Sequence, residues 1–128
     1  TVVFRHNFRV RYIDCDAQRV MHNSNYLAYT DDAVDCFLRE RLGNFEELGF
    51  DAMVRKATLE WMSPARLHDV VEIEVEPVRW GNTSFDIECR GFVAGSPCFT
   101  ARMVFVSTTP GAPVAVPVPE HVRVALSA

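Results

Sequence analysis

Several things are missing from this 128-residue chain, and each absence excludes a class of protein. There is no CxxC pair: the four cysteines, Cys15, Cys36, Cys89 and Cys98, are widely spaced, which argues against a disulfide framework or a thiolate metal cluster. The four histidines, His6, His22, His68 and His121, form no HxH or HxxxH pair, so spacing along the chain predicts no metal centre. No apolar run approaches the length of a membrane span. The first twenty residues carry charges and no hydrophobic signal region, so a cytoplasmic protein is expected. Basic residues never run beyond Arg55-Lys56, and the net charge is -4, so neither nucleic acid nor an anionic membrane is expected as a partner.

What is present is an apolar fraction of 48%, enough for one folded domain spanning residues 1–128 with a real core. Residues 4 to 13 read as a first strand, with Phe4, Phe8, Val10 and Tyr12 on one face. A polar turn follows over 14 to 24. Asn23 or Ser24 is the predicted N-cap of a helix over about 25 to 42, stopped by Gly43-Asn44. Tyr26, Thr30, Ala33 and Phe37 share its apolar stripe, widened by Leu27, Val34 and Leu38.

After residue 50 the pattern changes from helical to alternating. Runs over 52–62, 70–78, 84–93 and 98–107 read as four strands, and Gly81-Asn82 and Gly95-Ser96-Pro97 read as hairpin turns. Cys36 and Cys89 fall in apolar patterns and read as small core residues. The segment from 108 to 128, with Pro110, Pro113, Pro117 and Pro119, is expected to be an extended tail. The result is an α+β arrangement: one long helix on a curved, largely antiparallel sheet of about five strands.

The most informative stretch is the end of the first strand. Asp14 and Asp16 stand there, a short turn follows, and Tyr26 comes ten residues after Asp16 in the helix. That order brings a carboxylate toward the positive end of a helix. Hydrolysis of an activated carbonyl uses both parts: a nucleophile or base, and donors for charge on the carbonyl oxygen. Asp16 is the leading candidate for the first role, with Asp14 read as structural. Asn23 would supply a backbone N–H. His22, whose ordinary pKa lies near neutrality, is a candidate acid or base, and the bland reading is a hydrogen-bonding turn residue.

These residues resemble those of the hotdog fold, in particular the 4-hydroxybenzoyl-CoA thioesterase family. The matching motifs run in order through nearly the whole chain: Tyr12-Ile13-Asp14-Cys15-Asp16, Tyr26-Leu27, and Val54-Arg55-Lys56-Ala57-Thr58-Leu59-Glu60. Pro64-Ala65 with Asp69, Gly81-Asn82-Thr83-Ser84, and Pro117-Val118-Pro119 with Val122 complete the set. The resemblance implies a homo-oligomer, dimer or tetramer, with active sites between subunits and an acyl-CoA or acyl carrier protein thioester as substrate. Coenzyme A is then part of the substrate, and no cofactor is implied.

By the same resemblance Asp16 is the catalytic carboxylate and the N–H near Asn23 polarises the carbonyl, with Tyr26, Arg19, Arg55, Lys56, Thr83 and Ser84 as substrate-binding candidates. Two positions depart from the pattern. Arg19 stands where many members have Gly, and Asn23 where some have His, with His22 one place early. The alternatives are a hotdog hydratase or dehydratase using Asp16 and His22, and an oligomer that binds acyl thioesters without turnover.

Overall fold

The computed structural model describes residues 3–128. Strand β1 (Phe4–Arg9) leads through a 3-10 turn (Tyr12–Asp14) to helix α1 (Asn23–Leu42). Strands β2 (Asp51–Trp61), β3 (Val70–Trp80), β4 (Ser84–Val93) and β5 (Ser96–Thr108) follow, and helix α2 (Glu120–Ser127) closes the chain. All strand pairings are antiparallel, in the order β1-β3-β4-β5-β2. This is the curved five-stranded sheet with one long helix of the hotdog fold.

Strict alternation dictates which face is covered. Val71, Ile73 and Val75 on β3, Phe85, Ile87 and Cys89 on β4, and Phe99, Ala101 and Met103 on β5 are all buried. Helix α1 lays Tyr26, Thr30, Ala33, Val34, Phe37 and Leu38 against this layer. Each large apolar side chain removed from water contributes about 1.5–3 kcal/mol. Burial lifts the Cys89 thiol to about 12, so it stays protonated as an inert core residue. The opposite face carries ion pairs: Arg90 joins Glu74, Glu76 and Glu88, and Asp86 is held by Arg79 and Arg102.

Asp86 is buried, which by itself raises its pKa, but hydrogen bonds from Arg79 and Arg102 outweigh burial and hold it below the usual carboxylate range. A depressed folded-state pKa stabilises above the unfolded value and loses that contribution as pH falls through the folded one. We expect Asp86→Asn to cost about 1–3 kcal/mol at neutral pH and to flatten the loss of stability below about pH 4. Urea midpoints measured from pH 7 to pH 3 check both; a constant gap between the variant and the parent would reject it.

One close approach depends on glycine. On β4, Gly91 faces Phe99 across the β4–β5 ladder, and a Cβ at Gly91 would lie inside the contact radius of the Phe99 ring. Phe99 can therefore lie flat over β4 and meet the Tyr26 ring edge-on at 5.1 Å.

The structure corrects four expectations. Strand β1 ends at Arg9, not near 13, and Tyr12 is exposed, because Asp14 draws the Arg11 amide (2.9 Å) and guanidinium into the 3-10 turn. Leu27 lies outside the buried stripe. The β2 pattern breaks at a register shift between Val54 and Lys56, and this edge strand is exposed over most of its length. Finally, the expected tail ends in helix α2, capped by Pro119 and packed through Val122 and Leu126. Its eight residues are too few for propensity to announce a helix, and tertiary contacts hold it.

Candidate active site

The turn that carries Asp16 is built by short-range hydrogen bonds. The Asp16 amide donates to the Val20 carbonyl (3.0 Å) and the Arg19 amide to the Asp16 carbonyl (3.0 Å). The Asp16 carboxylate accepts the Gln18 amide at 2.8 Å, an Asx-turn that fixes its rotamer. Bridges from Cys15 to Met21 and from Val20 to Arg66 attach the turn to the rest of the fold. Arg19 closes it with φ of 62°, a left-handed conformation that favours glycine, so the departure from the family's Gly is accommodated at some strain.

A buried polar network clamps this turn to α1. Asp14 is only 4% exposed, and its carboxylate accepts the Tyr29 hydroxyl at 2.6 Å besides the Arg11 groups. Burial would raise the Asp14 pKa, yet the Tyr29 and Arg11 hydrogen bonds carry it below the usual range. The Asp14 carbonyl accepts both the His22 amide (2.8 Å) and the Asn25 side-chain amide (2.9 Å). Asp14 is thus a structural anchor.

Helix α1 begins at Asn23, with His22 as its N-cap. The His22 Nδ1 accepts the Ser24 amide at 3.2 Å and lies 2.8 Å from the Ser24 hydroxyl. The expected cap at Asn23 or Ser24 is therefore one or two residues late. Histidine is not a usual cap, but an unprotonated ring nitrogen accepts a helix amide as a carboxylate would. Substituting Ser at His22 should preserve the cap, with stability within about 1 kcal/mol of the parent. The rate of the thioester hydrolysis that the resemblance implies should stay within about tenfold as well; a loss of 10²–10⁴ would show that the imidazole transfers a proton.

Asp16, His22, Asn23 and Tyr26 come together. They line one cavity of about 280 Å³ with Val20, Met21, Trp61, Met62, Ser63 and Pro64. Tyr26 is also core: it is 1% exposed, its hydroxyl accepts the Ala65 amide at 3.1 Å, and its ring meets Trp61 edge-on at 5.9 Å. The wall from Met62 to Pro64 hangs on β5, since the Met62 and Ser63 amides both donate to the Cys98 carbonyl (2.8 and 3.2 Å). Sequence reasoning missed this wall; Trp61 is the strand residue it was read as, the last of β2, and lines the cavity as well. The available signal was an apolar Trp-Met pair running straight into Ser63-Pro64 at a strand end.

The remaining candidates lie elsewhere in the chain. Arg19 is exposed and outside the cavity lining; its backbone carbonyl accepts the Leu67 amide. Arg55 and Lys56 are exposed on edge strand β2. Thr83 accepts the Ser107 amide through its carbonyl, and the Ser84 hydroxyl accepts from Arg79, so both act in the β3–β4 turn. None of these five residues lines the cavity formed by a single chain.

The profile of the Thioesterase-like superfamily matches residues 10–126. The chain belongs to that superfamily. The Escherichia coli protein named acyl-CoA thioester hydrolase YbgC is 36% identical over 87 residues, covering 66% of this chain and 65% of the relative. The aligned segment thus spans a little under two thirds of that relative's length. A putative esterase of Aquifex aeolicus is 29% identical over 75 residues, covering 56% of this chain and 59% of the relative.

Among solved structures, a gentisyl-coenzyme A thioesterase superposes with a TM-score of 0.87 at 25% identity, over 97% of this chain and 100% of that one. A 4-hydroxybenzoyl CoA thioesterase mutant complexed with 4-hydroxybenzoyl CoA superposes at 0.90 over 98% of this chain and 99% of that one. At 17% identity the latter speaks for the fold alone.

Proposed function

We propose that this member of the thioesterase-like superfamily hydrolyses an acyl-CoA thioester to a free acid and coenzyme A. One observation carries the reading: the Asp16 carboxylate and the first residue of α1, Asn23, line the same cavity. The substrate class draws support from the relatives named for acyl-CoA and gentisyl-CoA hydrolysis. In this reading the thioester carbonyl sits between them. The amides of Ser24 and Asn25 are engaged by His22, so Asn23 offers the first-turn N–H to the developing oxyanion at the positive end of the helix.

Asp16 either attacks the carbonyl carbon, forming an anhydride that water then cleaves, or takes the proton from an attacking water. Coenzyme A leaves as the thiol in both routes. Trp61, Met62 and Tyr26 contact the acyl group. Engagement of the His22 ring as a helix cap disfavours the hydratase reading, which needs that imidazole as a proton carrier.

The assembly proposed is a homo-oligomer in which β2 of one subunit pairs with its copy. Edge strand β2 has exposed Met53, Val54 and Trp61, and a second subunit would cover them while narrowing the open cavity. Arg19, Arg55, Lys56, Thr83 and Ser84 are proposed as coenzyme A contacts in that assembly, the basic ones facing phosphates. Among the described residues no helix is long and apolar enough to cross a membrane, and the four cysteines are free thiols, which fits a cytoplasmic setting. The test is a thiol-release screen over acyl-CoAs of graded length and aromaticity, with acyl carrier protein thioesters as a second panel. Tight acyl-CoA binding without thiol release would favour the non-catalytic alternative.

A further inference from the structure

Far from the candidate active site, α1 and β1 bring together three side chains of different chemistry. His6 projects from β1 toward α1, where Asp32 and Cys36 stand one helical turn apart on the facing side. Their ligand atoms all lie within 4.8 Å of one another, and among the described residues this is the one such group. Asp32 is nine residues beyond Asn23, about 14 Å along the helix axis at 1.5 Å per residue, so the cluster is separate from the cavity that holds Asp16.

We propose that His6, Asp32 and Cys36 bind one divalent transition-metal cation of the zinc class, which clips β1 to α1. Distance is the first argument. Two ligands of a tetrahedral zinc, each bonded at about 2.0–2.1 Å, stand about 3.3 Å apart, and His6 Nε2 already lies 3.4 Å from Asp32 Oδ2. The Cys36 sulfur lies within 4.8 Å of the other two ligand atoms, and a thiolate and a nitrogen on one tetrahedral zinc stand about 3.6 Å apart, so about 1 Å of closure completes the set. Ligand type is the second. An imidazole, a carboxylate and a thiolate suit zinc or cobalt(II) and are a poor set for magnesium or calcium, which prefer oxygen.

Rigidity is the third argument. All three residues sit on regular elements, and two ring pairs fix the spacing between those elements on either side of His6. Phe4 meets Phe37 at 5.6 Å, and Phe8 stacks on Tyr29 at 3.8 Å. The local charge agrees: Asp32 and the neighbouring Asp35 place carboxylates beside the site, which suits a cation. On binding, Cys36 releases its proton to solvent and water completes the coordination shell. Asp32 is 61% exposed and leaves an open route for the ion.

The probe is cobalt(II) alone, titrated into the full chain after removal of bound metals. One equivalent should produce a near-ultraviolet thiolate-to-cobalt charge-transfer band, which zinc then displaces, and the melting temperature should rise with metal concentration. Cys36→Ser should abolish the band. Asp32→Asn, at an exposed position that leaves the core intact, should weaken binding at least about tenfold. A missing charge-transfer band would overturn the site, as would a band that survives Cys36→Ser. Equal cobalt affinity in Asp32→Asn and parent, or binding only at millimolar metal, would count as an adventitious ion only and reject it too.

Discussion

Replacing Asp16 by Asn should lower thioester turnover by about 10³-fold or more while the protein stays folded. Asparagine keeps the size of the side chain and the oxygen that accepts the Gln18 amide, so the turn from Asp16 to Val20 persists. What disappears is the negative charge that the proposed mechanism uses to attack the carbonyl or deprotonate water. Melting temperature and oligomer size should match the parent, and KM should change far less than kcat, since the carboxylate acts mainly on the reacting carbon. Unaltered kcat in this variant would reject the proposed chemistry. In active protein, a single turnover in heavy-oxygen water separates the two routes. Label on the Asp16 carboxylate identifies direct attack with water cleaving the anhydride at the Asp16 carbonyl, whereas base catalysis leaves that carboxylate unlabelled.

The second large effect is expected in the core. Phe99 is fully buried, and Phe99→Ala should cost about 3–5 kcal/mol through the cavity it leaves. Gly91→Ala should cost about 1–3 kcal/mol in the parent, because the new methyl meets the Phe99 ring and β4 must shift to make room. The two changes are not independent. In the Phe99→Ala background the methyl enters vacated space, so Gly91→Ala should cost close to nothing there. Denaturant midpoints of the four proteins give the coupling. Additive costs would show that the intolerance at Gly91 has another source, such as strand entropy.

The sequence made some layers of this protein legible and hid others, for physical reasons. Alternation along β3, β4 and β5 is a local signal, so the covered face of the sheet could be read residue by residue. The union of Asp16, Asn23 and Tyr26 was also readable, since the short segment 16–26 carries all of them and the family motifs mark it. What stayed hidden depends on contacts between distant segments. Asp14 was readable as structural but its partner was not; its burial follows from Tyr29, fifteen positions later in the helix. Trp61 and Met62 became a cavity wall because β5 holds them beside Tyr26. His6, Asp32 and Cys36 show no ligand spacing along the chain, and only the docking of β1 on α1 puts them together.

The way the cavity wall hangs from Cys98 also bears on how this scaffold could acquire new substrates. Met62 and Ser63 are suspended from a main-chain oxygen, and the buried Cys98 thiol adds a bond of its own to the Ser63 carbonyl at 3.2 Å. Trp61 and Met62, about half exposed, can meanwhile be resized without disturbing either the suspension or the Asp16 turn. Drift in acyl preference should therefore accumulate at those two positions, on a frame whose main-chain bonds do not register the change.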